Sequence, residues 1–306
     1  IITSTREHAL YLWIYIDPNA NATAVARVVA NLQSHVDYVS PPADVNENNK
    51  IVAGIGFGNN FYKKVYFIIP TATPRDFPLV TRRGVLGVLP ATGGDVFIHA
   101  KSNSKSKLFE LTERIKSQLP NNSMDSFEDV YGWVYKNGRD LSGFIDGTEN
   151  PSELEERKQV AVERSTGGSF TITQKWLHNM KFIHSQSDET LEKFVGRTKN
   201  DSLELSPLPR CSHVARMVNS TEPGALAPFK IVRQSQPYGT VSEESGLFFI
   251  AYANDTRNFE YQLDNMVGKS SSGSDSGCAD DIMRISKALS GNYWYFPGVE
   301  ELKKML

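Results

Sequence analysis

At 306 residues and 34.1 kDa the chain is about twice a usual domain of ~100–150 residues, so it holds two domains or one large one. Apolar residues at 40% and charged residues at 22% exclude a disordered or fibrous protein and point to a soluble globular one. With 33 Lys and Arg against 35 Asp and Glu the net charge is −2, which leaves no basic surplus for a phosphate backbone and excludes nucleic acid as an expected partner.

Ala9–Ile16 (ALYLWIYI) is aromatic and β-branched and predicts a strand. Asn21 and Thr23 then cap a helical pattern carried by Ala24, Val28, Val29, Leu32 and His35. A second strand is predicted at Lys50–Phe57. The glycines Gly54, Gly56 and Gly58 of GIGFG do not make a dinucleotide fingerprint, because the third required position is Asn59, and they read as a strand end and turn. A strand at Asp95–Ala100, a helix spaced by Leu108, Leu111, Ile115 and Leu119, and a strand at Val130–Tyr135 complete the order β-α-β-β-α-β. That order is the split βαβ, ferredoxin-like arrangement.

The second half repeats the order loosely. Strands are expected at Ser169–Leu177, Phe229–Gln234, Gly246–Ala253 and Tyr293–Phe296, with helices at Asp188–Gly196 and Arg257–Met266. The tract Lys269–Gly277 (KSSSGSDSG) reads as a mobile inserted loop, since nothing in it buries enough apolar surface to offset chain entropy. The expected fold class is therefore α+β, two ferredoxin-like halves with antiparallel sheets. The boundary falls near Tyr135, giving domains 1–135 and 136–306, and clefts between such halves are default ligand sites.

Cys211 and Cys278 are the only cysteines, too few for a disulfide scaffold, and this argues for a reducing, cytoplasmic setting. No apolar run approaches the ~18 residues of a membrane span. The start IITSTREHA lacks the layout of a signal peptide, although the absent initiator Met leaves room for a leader removed upstream. Among the histidines only His213 stands close to a cysteine, which makes structural zinc improbable. CxxCH is absent, so covalent heme c attachment is excluded while non-covalent heme, needing one axial His, is not.

The loop Gly143-Phe144-Ile145-Asp146-Gly147-Thr148-Glu149-Asn150-Pro151 differs in kind from these. Its glycines let backbone approach a ligand and present Asp146 from a tight turn; an Asx-turn, with Asp146 capping its own backbone, is the plainer alternative.

GFIDGTENP resembles the GxxDG motif of the dye-decolorizing peroxidases. SFTITQKWLHNM, FVGRTK, SHVARM, KIVRQSQPYG, GLFFIAYAND and DDIMRISKALSGNYWYFP resemble further family segments, in the family's order, from about Tyr131 to Pro297. The QKWLHNM and IVRxxxPYG wording is similar to the B-type branch, now often called P-type. In the first half the likeness is architectural only.

The resemblance implies one non-covalent heme b per chain, held mainly by the second half. His213 matches the proximal iron ligand. Asp146 matches the distal acid and Arg233 the distal arginine. The carboxylate behind the proximal histidine falls on Asp280, with Asp281 as the alternate. Gly147, Thr148 and Glu149 follow the distal acid, Leu247 and Phe249 match the apolar distal wall, and Arg197 and His178 are placed as propionate or supporting contacts. Ser235 departs from the pattern, standing where B-type members often carry Asn. The implied reaction uses hydrogen peroxide to oxidise small organic reductants, such as dyes and phenols, by one-electron steps through an oxoferryl intermediate. Bulky dyes would be served by electron transfer to a surface Tyr or Trp. The alternatives are a heme carrier or sensor without turnover, and a cofactor-free interaction module. A homo-oligomer is expected, a dimer first, with no membrane partner.

Overall fold

The computed structural model describes residues 1–43, 46–69, 75–218, 229–269 and 277–306. Its strands are β1 (His8–Ile16), β2 (Val52–Gly58), β3 (Arg82–Gly84), β4 (Gly87–Leu89), β5 (Val96–Ser102), β6 (Met124–Trp133), β7 (Ser169–His178), β8 (Val232–Arg233), β9 (Gln236–Gly239), β10 (Ser245–Ala253), β11 (Ser286–Ala288) and β12 (Asn292–Phe296). The helices are α1 (Ala22–Ala30), α2 (Leu32–Val39), α3 (Asn59–Val65), α4 (Lys105–Gln118), α5 (Leu154–Ala161), α6 (Met180–Ser185), α7 (Asp188–Val195), α8 (His213–Val218), α9 (Arg257–Met266) and α10 (Val299–Met305).

The two runs of strands share one antiparallel plan, as the expected fold class requires. In the first run the neighbours are β2-β5-β1-β6, and in the second they are β9-β10-β7-β12. Each time the second strand pairs with the third, the third with the first and the first with the fourth. The edges then meet: β6 pairs with β9 through Gly132 and Tyr238, and β12 pairs with β2 through Trp294 and Gly58. The pairings close into a ring, although each closing contact is only one or two residue pairs long.

Closure explains why so many strands are apolar on both faces. Along β1, Ala9, Tyr11 and Trp13 point into the ring, while Leu10, Leu12 and Ile14 point to the surrounding helices. Phe97, Phe248, Trp294 and Phe296 fill the ring with them, Tyr11 and Phe248 stacking at a centroid distance of 3.9 Å. The GIGFG glycines belong to this packing and not to a turn alone. They lie within β2, and a Cβ on Gly56 would collide with the ring of Phe296.

Some elements differ from expectation. β6 starts at Met124, six residues before the expected Val130, because the register with β1 runs through polar, exposed residues that carry no strand signal. Within Phe229–Gln234 only Val232–Arg233 forms a strand, and the Pro- and Gly-containing Gln236–Gly239 is a strand because β10 pairs along it. The tract 269–277 lies, except for its ends, outside the described residues.

The cysteines require a correction. Cys211 and Cys278 are joined in a disulfide with their Cα atoms 5.7 Å apart, so the cysteine count does not argue for a reducing compartment. The fold brings together positions separated by 67 residues, which spacing alone could not show. Among the described residues no helix is long and apolar enough to cross a membrane.

Candidate functional site

The loop after β6 is bonded to itself. The N–H of Asp140 donates to Phe144 O at 2.9 Å, that of Gly143 to Asp140 O at 2.9 Å, and that of Asp146 to Gly138 O at 3.1 Å. Gly143 and Gly147 sit at φ +95 and +81, left-handed positions that favour glycine. Arg139 straps the loop from outside, donating to Gly143 O at 2.8 Å, Lys199 O at 2.6 Å and Asn200 O at 2.8 Å. Asp146 is thereby presented by a fixed turn, and its side chain lines a cavity.

Arg233 reaches the same cavity from β8, and Asn150 ties it to the loop. Asn150 Oδ1 accepts from the N–H of Arg233 at 2.8 Å while its Nδ2 donates to Arg233 O at 2.9 Å. Behind β8, the buried Gln234 accepts through Oε1 from Lys101 Nζ at 2.7 Å, anchoring the strand to β5. Asn150→Ala removes both bonds of the clamp and is expected to cost about 2 kcal/mol in urea denaturation. A cost below about 0.5 kcal/mol would show that the loop and β8 hold together without it.

His213 opens α8, and its Nδ1 lies 2.7 Å from Oδ2 of the fully buried Asp280. Asp280 is itself fixed: its Oδ1 accepts from Ile282 N at 3.0 Å and its own N–H donates to Met266 O at 2.9 Å. Asp281, the alternate, pairs instead with Arg284 at 2.7 Å. With Nδ1 engaged by Asp280, Nε2 is the ring nitrogen that could coordinate a metal, and the residue lines the cavity that holds Asp146 and Arg233.

Much of the remaining wall is apolar, with Ile172, Trp176, Leu247, Phe249, Leu263 and Met266 in it, and polar groups such as Gln174, Lys230 and Gln262 interrupt it. Glu149 stands in its wall and pairs with Arg197, which also donates to Ser202 O at 2.7 Å. Gly147 and Ser235 line a neighbouring cavity that Asp146 and Arg233 share, and Thr148 is in neither wall. Ser235 Oγ accepts from the N–H of Ile250 at 3.3 Å. His178 lines the main cavity, but both its ring nitrogens are engaged, with Ser286 Oγ at 2.8 Å and Asp140 Oδ2 at 2.8 Å.

Burial pushes the Asp146 carboxyl above the ordinary carboxylate range; Arg233 opposes this and the charge on Asp140 adds to it. Asp140 goes the other way. Burial would raise it, but His178 and the hydroxyl and N–H of Ser142 hold it below that range. The two acids are thus set apart, Asp140 toward its ionised form and Asp146 toward holding a proton more readily. Asp140 and Asn150 are the site residues that sequence reasoning did not single out. Asn150 lies inside the quoted loop, but nothing in its spacing reveals a partner 83 positions away.

The family model for the C-terminal part of Dyp-type peroxidases matches residues 137–301. The chain belongs to the Dyp-type peroxidase family and is a peroxidase. It is 33% identical over 232 residues to the dye-decolorizing peroxidase of Mycobacterium tuberculosis, covering 74% of this chain and 67% of that one. To the dye-decolorizing peroxidase of Mycolicibacterium paratuberculosis it is 28% identical, over 96% of this chain and 81% of the relative. Among solved structures, the dye-decolorizing protein of Vibrio cholerae superposes with a TM-score of 0.84 at 28% identity, covering 99% of this chain and 97% of that one. A variant of Rhodococcus jostii DypB, solved in complex with heme, superposes with a TM-score of 0.86 at 26% identity, covering 98% and 96%.

Proposed function

We propose that the protein is a heme b peroxidase that binds one heme non-covalently through His213 and uses hydrogen peroxide to oxidise small organic reductants by single electrons. The carrying observation is that one largely apolar cavity holds a carboxylate-backed histidine together with an acid and an arginine. The donor set fits the group: a neutral imidazole is a normal axial ligand, and the walls suit a flat apolar ring system. Every lining residue falls between Asp140 and Ser286, which supports heme being held by the 136–306 part. That a similar structure, a variant of Rhodococcus jostii DypB, is in complex with heme supports heme as the bound group.

Bound heme supplies the redox capacity to split peroxide and to pass on single electrons. Asp280 accepts a hydrogen bond from Nδ1 of His213, which fixes the ring's tautomer and makes Nε2 a stronger donor to a metal. Ionised Asp146 would take a proton from one oxygen of peroxide and hand it to the other, which would leave as water. Arg233 stabilises the negative charge that develops between those events. Arg233→Leu is expected to slow the peroxide step about 100- to 1000-fold with heme retained, read by stopped-flow absorbance. An unchanged rate would remove Arg233 from the chemistry.

The test of the whole assignment is the visible spectrum of the hemin-supplied protein before and after hydrogen peroxide. A Soret band that shifts within the mixing time and returns on adding a phenol supports a peroxidase. Tight heme binding with no response to peroxide would make the protein a carrier, and no heme binding would overturn the assignment.

A further inference from the structure

His213 and Asp280 both sit on short elements. α8 has six residues, too few to be stable alone, and Asp280 precedes a four-residue 3-10 turn over Asp281–Arg284. Each is preceded, two positions earlier, by a cysteine, and those two cysteines are bonded to each other. Cys211-Ser212-His213 therefore runs beside Cys278-Ala279-Asp280, tied at one end by the disulfide and at the other by the 2.7 Å bond of His213 to Asp280. A further tie joins the N–H of Asp281 to Cys211 O at 2.8 Å. The contact is close along its length: Ser212, Ala279 and Asp280 are buried, and a Cβ on Gly277 would stand 3.2 Å from Arg210.

We propose that the Cys211–Cys278 disulfide is a positioning element for the proximal ligand, a role that rests on His213 being the heme ligand. The crosslink holds two segments 67 residues apart in the register that puts Nδ1 of His213 against Asp280. Without it, that register depends on the backbone tie and on packing alone, and the two segments can shift more readily against each other. The strength with which His213 holds heme, and the electron density Asp280 lends its ring, then both fall.

The holoenzyme supplies the test, with the disulfide opened in two ways. One is the Cys211→Ser/Cys278→Ser double variant. The other is wild-type holoenzyme treated with a water-soluble phosphine, where the S–S bond takes up two electrons and two protons to give two thiols. The phosphine is oxidised to its oxide with an oxygen atom from water. Heme release into excess apomyoglobin is expected to quicken about 10- to 100-fold in both. In the ferrous forms, the iron–histidine stretching band should move to lower frequency, in the direction that Asp280→Asn moves it. A general loss of stability would not move that band.

An unchanged release rate and band in reduced wild type, with two thiols counted by mass spectrometry, overturns the proposal. So do two free thiols in the protein as purified. If the double variant does not fold, the phosphine arm decides. A His213→Ala protein that retains heme with the wild-type band would instead overturn the ligand assignment itself, and that result is distinct from either of the others.

Discussion

Asp146→Asn is expected to slow the reaction with hydrogen peroxide about 100- to 10,000-fold while leaving heme bound. Asparagine keeps the size and its amide oxygen can still accept a hydrogen bond, but it cannot take up a proton, so the base is lost together with its charge. The wild-type rate should fall toward acid through an apparent pKa above the ordinary aspartate value of ~3.9, because burial raises Asp146 in the folded protein. That acid limb should be absent from the variant. The stability effect has the opposite sign to the kinetic one. A raised folded pKa means that the native protein binds the Asp146 proton more tightly than the unfolded chain does, so stability declines as pH rises from the unfolded value through the folded one. At neutral pH the variant removes a buried charge, and its urea midpoint should equal or exceed that of the wild type. Full peroxide reactivity, or an acid limb that survives the substitution, would take Asp146 out of the mechanism.

His213→Ala is expected to abolish the Soret band of protein passed through a desalting column after hemin loading. The cavity walls are largely apolar and would still attract hemin, so loose uptake is expected to persist before the column; the test is retention. Asp280→Asn is the graded companion. It preserves a hydrogen-bonding group beside Nδ1 but removes the charge, and heme affinity should fall about 10- to 100-fold by titration. Retention of heme by His213→Ala would place the ligand elsewhere, and an unaltered affinity in Asp280→Asn would reduce Asp280 to a helix-turn cap for Ile282.

The identity of the site was carried in local words of the sequence. GFIDGTENP carries its glycines and Asp146 in one short run, and the nearby Gly138 and Asp140 bond it into a turn, while Arg139 and Asn150 fix that turn to distant residues. The strands β1, β7 and β10 were legible for a similar reason: β-branched and aromatic runs declare themselves at short range. The choice between Asp280 and Asp281 was not legible, because adjacent acids differ only in which face of a turn they occupy. The structure gives Asp280 to His213 and Asp281 to Arg284.

What tertiary structure alone decided shares one physical cause, contact between positions far apart in the chain. The ring closes because β6 meets β9 and β12 meets β2, and no window of sequence contains both partners. The same holds for Asn150 clamping Arg233, for Lys101 holding Gln234, and for Cys211 meeting Cys278. Residue type and spacing determine which groups can do the chemistry, since the kind of ionisable group and the turn geometry are local properties. Burial and partner choice are properties of the folded chain, and they decide that Asp146 is raised, that Asp140 is held ionised, and that the two cysteines are bonded and not free.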